Sequence, residues 1–329
     1  MGRGSEGRGD QGGVTESRSL RGVHIGFYGA VMGLAGLGLT ARAAAPLFPG
    51  AIRAPAYFTE VWVALGAVAL LILVPAYLLK LWKHPAAVRD DLTNPVFMGF
   101  CGALPVGMSL VAGGVAPYAP SLGSALWWIA FALVLALQLW AIVRWLSGGI
   151  ELAQINAGWL ILFVGGIVLP GPGIALGHDE AARFTFGVSA SAAPVLMALL
   201  FYRAVTGPPL APALRPSWFI LLVPPSLIYA NGVALYPDAA FLEMLYPFAL
   251  VLAVGLLVYS RQLARWPFGP PWWAFTFPLD ALAYAAVRYA QEHPSVLWKS
   301  IAGAALALAT LFVVLVLWRT LRSAASRRG

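Results

Sequence analysis

Side chains able to do chemistry are sparse in this 329-residue chain, and they are scattered. The four histidines, His24, His84, His178 and His293, fall at the ends of apolar segments or between them, so they cannot assemble one metal site. The single cysteine, Cys101, lies in an apolar run and allows no internal disulfide or CxxC metal pair. Metalloprotease, nucleophile-elbow and phosphate-loop motifs are missing. We therefore expect a protein that is not an enzyme and that has no cofactor.

One acidic residue stands apart from the rest. Asp280 lies near the middle of an apolar segment, shortly after Phe277 and Pro278. An ionised carboxylate at mid-membrane costs several kcal/mol unless it faces water or a partner. A spacing of three places Phe277 and Asp280 on one helix face, and Pro278 predicts a kink beside them. Asp280 is then either a neutral, hydrogen-bonded structural residue or a proton-exchanging group. Phe277 either packs in the interior or projects into a path.

The composition indicates a membrane protein. Hydrophobic residues make up 60% of the chain and charged residues only 10%, whereas a soluble domain carries about 25% charged residues. So few charges cannot cover a water-facing surface, but a lipid-facing surface should be apolar. The net charge of +8 would suggest nucleic acid in a soluble protein. Here the basic residues lie in tails and short loops, so membrane topology explains them and no nucleic-acid partner is expected.

The apolar segments predict an all-α integral membrane protein with ten transmembrane helices. Each segment has roughly the 20 residues that a spanning helix needs. The most closely spaced pair is the fifth and sixth, which only the turn at 177–180 separates. The predicted spans are 23–44, 57–83, 95–115, 122–146, 158–176, 181–203, 217–235, 240–261, 271–291 and 297–319.

The distribution of basic residues predicts the orientation. With the amino terminus inside, 16 of the 21 Lys and Arg residues fall on the inner side. This bias favours an even number of spans with both termini in the cytoplasm, and we expect a bacterial inner membrane. The domain prediction is a disordered cytoplasmic tail over 1–22, a transmembrane domain over 23–320 and a basic cytoplasmic tail over 321–329.

The combined number of glycine and proline residues alternates between high and low from one span to the next. The odd-numbered spans hold 24 of them and the even-numbered spans 8. Small residues allow close helix contact, so this predicts five helical hairpins with the odd helices inside and the even helices facing lipid. The inner helices either line a pore or only pack tightly. Besides the residues around Asp280, the candidates for pore-lining, kink or anion-donor positions are Gly33, Pro105, Ser109, Pro170, Thr185, Pro224, Ser226 and Asn231.

Three stretches carry a family resemblance. Residues 272–279, Trp-Trp-Ala-Phe-Thr-Phe-Pro-Leu, continuing to 289–292, resemble the ninth helix of the plant slow anion channels. Those channels belong to the tellurite-resistance/dicarboxylate transporter family. The Gly/Leu-rich stretch 27–39 is similar to the first helix of the bacterial tellurite-resistance proteins, and the start of the third span at 94–96 also agrees.

The resemblance implies a fold and a gate. The family has five hairpins around a central pore, assembles as a homotrimer with one pore in each subunit, and occludes that pore with a phenylalanine of the ninth helix. The matching residue is Phe277, while Phe275 holds the neighbouring aromatic position. The implied substrates are anions such as chloride, nitrate, malate or sulfite. The plant channels carry a small hydroxyl residue where Asp280 stands.

Three functions follow as hypotheses. The first is a channel selective for small inorganic anions and gated by Phe277. The second is a proton-coupled exporter of dicarboxylates or oxyanions, including malate, sulfite and those of tellurite resistance, with Asp280 as the proton site. The third is a membrane-embedded sensory or binding subunit that conducts nothing.

Overall fold

The computed structural model describes residues 20–49 and 57–326, and within these ranges the chain is built from helices and turns. Ten long helical segments follow one another, and a short linking helix, Pro85–Thr93, lies between the second and third. The segments are α1 (Ile25–Ala44), α2 (Tyr57–Lys83), α3 (Met98–Val115), α4 (Pro120–Leu146), α5 (Gly158–Ala175), α6 (Asp179–Thr206), α7 (Pro212–Leu235), α8 (Ala240–Arg265), α9 (Pro270–Phe275 continuing into Thr276–Glu292) and α10 (Val296–Ser326).

These segments confirm the predicted multi-pass membrane architecture. In the described residues, nine of them are long and apolar enough to cross a bilayer. The exception is α9, which carries Asp280, Arg288 and Glu292, so the tenth crossing stays a prediction. The last segment continues to Ser326, past the predicted end at 319. Most of the predicted amino-terminal tail lies outside the described residues.

The fifth and sixth segments are two separate helices, as predicted. Gly177 turns the chain with a φ of 78°, a left-handed conformation that glycine adopts without strain. The acids Asp179 and Glu180 lie in the first turn of α6, where the helix dipole favours negative charge, rather than in the loop itself.

Burial alternates along the chain and confirms the inner and outer layers. In the most apolar stretch of α1, α3, α5 and α7, 78–89% of residues are buried, against 17–39% in the even-numbered segments. Most of α9 from Thr276 to Val287 is buried as well. The even-numbered segments instead expose large apolar side chains such as Leu71, Val195 and Val251. Such an outer surface suits lipid and not water.

The inner helices form a closed ring. Each odd-numbered segment contacts the next, and α9 contacts α1, while α1–α2, α3–α4 and α9–α10 pack as hairpins. The backbones of α3 and α5 touch at glycines of α3. A Cβ on Gly99 would overlap the backbone of Gly158, and one on Gly102 would overlap the carbonyl of Ile161. Side chains at these positions would force α3 away from α5, so the glycines set the width of the ring.

Each inner helix also contains a tighter 3-10 stretch. Glycine and proline weaken regular α-helix, and a buried position lets neighbouring helices satisfy the backbone groups that are freed. In α5 the stretch is followed by a break at Val168 and Leu169 before the helix resumes at Pro170. The five stretches are Ile25–Phe27, Met98–Gly102, Gly165–Ile167, Pro212–Leu222 and Pro270–Phe275.

We call the end of the ring at which α1 begins the near face. A buried ion pair holds its segments together. The Lys80 ammonium donates to Asp91 Oδ2 at 2.6 Å and to the carbonyl of Val23 at 2.9 Å. The Tyr77 hydroxyl donates to the same carboxylate at 2.8 Å. These bonds tie α2, the linking helix and the start of α1 together. The opposite end of the ring is called the far face.

The glycine contacts predict a stability difference. Gly102→Ala should lower the free energy of unfolding by about 1–3 kcal/mol, because the new methyl group meets backbone that cannot move aside. The matched control is Gly255→Ala on α8, where a Cβ meets no atom within 4 Å. Thermal unfolding of the detergent-solubilised variants measures both. Equal midpoints for the two variants would contradict the close-packed ring.

Candidate functional site

Two cavities lie inside the ring, one toward each face. The near cavity measures about 30 Å³ and the far cavity about 480 Å³. Among the described residues, the walls of both come from the five odd-numbered segments and the turn that follows α3. The inner helices therefore do more than pack: together they enclose a discontinuous path along the axis of the ring.

The near cavity is narrow and apolar. Its wall consists of glycine, proline, aliphatic and aromatic residues, and its size admits about one water molecule. At its mouth the Gly26 N–H donates to His24 Nδ1 at 3.0 Å. Burial lowers the pKa of His24, which keeps this nitrogen free to accept the bond. An ion in this cavity would have to give up its hydration shell with little replacement.

Two residues separate the cavities. Among the described residues, Phe277 of α9 and Val168 of α5 line both the near and the far cavity. These helices are not neighbours in the ring, so the constriction is made from two sides. Phe277 is 5% exposed, and its ring lies against α1 at Gly36, where an added Cβ would come within 3.0 Å of Phe277 Cδ2.

The local structure around Phe277 differs from the predicted kink. Pro278 does not break an established helix. It lies in the first turn of the α-helix that begins at Thr276, where proline costs no backbone hydrogen bond. The helix type changes instead between Phe275 and Thr276, and the Thr276 hydroxyl donates to the carbonyl of Trp273 at 2.8 Å. This change places Phe277 where the two cavities meet.

The far cavity holds the polar groups of the path. Asp280 is 1% exposed, lies one helical turn beyond Phe277, and has no hydrogen-bond partner for either carboxyl oxygen within the described ranges. The Thr40 hydroxyl donates to the backbone carbonyl of Asp280 at 3.3 Å. The Asn231 amide donates to the carbonyl of Ile167 at 2.7 Å, and Tyr284 also faces this cavity. The predicted pair of Phe277 and Asp280 on one helix face is thus present.

A fixed cation at the far cavity was missed from the sequence. Arg42 was not among the candidate residues from the sequence, but it lines the far cavity. The guanidinium donates to Glu60 at 3.0 and 3.1 Å and to the carbonyls of Gly113 and Gly114 at 3.3 and 3.2 Å. Its position in the last turn of a buried helix was the available signal, since such a residue must lie at the mouth of the ring.

The other candidate residues divide into wall and packing positions. Pro224 lines the near cavity and Asn231 the far one. Phe275 packs among aromatic rings, 4.7 Å from Phe219 and 5.3 Å from Phe312 between ring centroids, and lies off the path. Gly33 packs against Thr276. The remaining candidates are not wall residues of these two cavities, so a place on the path stays a prediction for Pro105, Ser109, Pro170, Thr185 and Ser226.

Metal binding has no support from this geometry. Across residues 20–49 and 57–326, no three His, Cys, Asp or Glu side chains come close enough together to hold a metal ion. The polar groups of the far cavity are instead one guanidinium, hydroxyls, an amide and a single carboxyl. The guanidinium, hydroxyls and amide are hydrogen-bond donors suited to a small anion.

The fold and the site define a multi-pass membrane protein whose five inner helices surround a path interrupted near its middle. The sequence pattern of the family described as voltage-dependent anion channel, SLAC1, matches residues 22–321, and the chain belongs to this family. The resemblance found in the first, third and ninth spans is thereby confirmed. The family is one of channels and transporters rather than enzymes.

Individual relatives agree with the family. The S-type anion channel SLAH2 of Arabidopsis thaliana is 27% identical over 274 residues, which cover 81% of this chain and 52% of SLAH2. The guard cell S-type anion channel SLAC1 of the same plant is 26% identical over 66% of this chain and 40% of its own length. An uncharacterized transporter of Methanocaldococcus jannaschii is 24% identical over 62% of this chain and 67% of the transporter. The chain spans about half the length of the plant relatives it matches.

Proposed function

We propose that this protein is an anion-selective channel in which Phe277 closes the path. The observation that carries the proposal is that Phe277 lines both cavities at the point where they meet. An aromatic ring at an apolar constriction blocks a small anion in two ways: it fills the cross-section, and it disfavours the water that would hydrate the ion. Movement of one side chain would then join the cavities.

The walls of the path support an anion over a cation. The far cavity, of about 480 Å³, offers hydrogen-bond donors from Arg42, Asn231 and Tyr284, and it is too wide for these side chains to enclose a small ion closely. Weak binding of this kind suits conduction, because an ion must leave as readily as it enters. The membership in a family of anion channels points the same way, and chloride and nitrate are the substrates we propose.

The assembly and location belong to the same proposal. We propose a homotrimer in a bacterial inner membrane, with both termini in the cytoplasm, so that the near face is cytoplasmic. The bias of basic residues toward the near face supports this orientation. The large apolar side chains exposed on the even-numbered segments provide surface for both lipid and neighbouring subunits.

Truncating the proposed gate should open the path. Phe277→Ala is expected to raise chloride flux at least about tenfold, which corresponds to about 1.4 kcal/mol removed from the barrier. Anion flux into liposomes containing the purified protein measures the effect. A flux equal to that of the wild type would contradict the role of Phe277.

The matched control is Phe275→Ala, two residues earlier in the same helix. Phe275 is fully buried among aromatic rings and off the path, so its truncation should cost about 3–5 kcal/mol of stability without raising flux. The two variants therefore separate opening of the path from loosening of the fold. An increase in flux from Phe275→Ala matching that of Phe277→Ala would show that loosening alone explains both.

A second candidate function is proton-coupled anion transport, and Asp280 is the observation that favours it. A buried carboxyl with no partner is rare, because burying an unpaired charge is costly. A carboxyl that lines the path next to the gate would repel anions when ionised. Once protonated, it would donate a hydrogen bond to them. A carrier of organic anions or oxyanions would use this exchange to couple anion and proton movement.

The two candidates differ in their response to a pH gradient. If Asp280 carries the proton, anion uptake into liposomes should depend on the gradient, and Asp280→Asn should remove that dependence while leaving the protein folded. Asp238→Asn, at an exposed acid of the far face, is the control. A gradient effect that survives in Asp280→Asn would eliminate this candidate. If neither the wild type nor Phe277→Ala passes any anion, the protein is a non-conducting binding subunit.

A further inference from the structure

We infer that Arg42 and Glu60 form an oriented charge pair at the far mouth, which presents its positive partner to the path and so favours anions over cations. The inference rests on the proposed channel function and names the residues that set its selectivity. It requires three features: an arginine on the path, an acid off the path, and donors left over for an ion.

The pair is oriented with its positive partner toward the path, because only Arg42 lines the cavity. Arg42 is a wall residue of the far cavity, whereas Glu60, on the outer helix α2, is not. The nearest nitrogen and oxygen atoms of the pair are 3.0 Å apart, and both side chains are about one third exposed. Because the arginine stands between the acid and the path, an ion in the cavity meets the positive end of the pair first.

Arg42 has donors to spare. A guanidinium carries five N–H groups, and Arg42 directs its two terminal nitrogens at Glu60 and at the carbonyls that end α3. The four hydrogen bonds that Arg42 makes to Glu60, Gly113 and Gly114 come from these two nitrogens and not from Nε, and Tyr284 lines the same cavity. A small anion such as chloride or nitrate would find charge-assisted donors here before it reaches Phe277.

Glu60 both holds Arg42 in place and weakens its field. The Thr59 hydroxyl donates to Glu60 Oε1 at 3.2 Å, which helps to hold the acid on its side of the arginine. Neutralising Glu60 would leave the positive charge uncompensated. Neutralising Arg42 would leave a negative charge near the mouth. The two changes should therefore act in opposite directions on anion selectivity.

The test measures the chloride-to-potassium permeability ratio from reversal potentials across planar bilayers, in the wild type and in the Phe277→Ala background. Arg42→Gln should lower the ratio and Glu60→Gln should raise it, each at least about threefold at about 10 mM salt, where charges act over about 30 Å. The differences should shrink near 1 M salt, where that length is about 3 Å. The double variant should lie between the single variants.

The control is Arg288→Gln, which removes a far-face arginine paired at 3.3 Å with Glu292 but absent from the wall of the path. This variant should leave the ratio unchanged. Shifts of the same sign in Arg42→Gln and Glu60→Gln, or an effect of Arg288→Gln as large as theirs, would overturn the inference and leave the channel proposal standing. A wild type and a Phe277→Ala variant that both pass no anion would overturn both.

Discussion

Direct contact between the backbones of the inner helices is the constraint on which the rest of this structure depends. Gly99 faces Gly158 and Gly102 faces Ile161 with no room for a side chain between α3 and α5. Contacts of this kind keep lipid out of the ring, and they let freed backbone groups in the 3-10 stretches find partners in neighbouring helices. A wider ring would separate Phe277 from Val168, and the constriction between the cavities would be lost.

The same constraint explains why the architecture was predictable from the sequence. Glycine and proline accumulate wherever helices must approach closely, so their alternation identified the inner and outer helices. The intramembrane acid at Asp280 and the aromatic residue three positions earlier identified the face of α9 that points inward. Both signals depend on residue type and spacing alone, so they can be read from the sequence without knowing any tertiary contact.

Other features of the path depend on how each helix is rotated about its own axis, which composition does not encode. Ser109 and Ser226 lie on inner helices, yet they are buried in the packing and are not wall residues of either cavity, while Arg42 does line the path. Pro278 was expected to kink a helix, but the α-helix begins only two residues before it. In each case the neighbouring helix decides the outcome, because it determines which side of a segment is filled and which is left open.

The unequal sizes of the two cavities have an electrical consequence. In the proposed channel, a far cavity of about 480 Å³ with charged and polar walls would hold water, conduct up to Phe277 and carry little of the membrane voltage. The potential difference would fall instead across the narrow apolar half of the path. An ion moving through that half crosses most of the voltage, which amounts to about 2.3 kcal/mol for one charge at 100 mV. The proposed channel would therefore behave as a thin insulator at the end of a conducting vestibule, and the applied field would be concentrated on the segment that begins at Phe277.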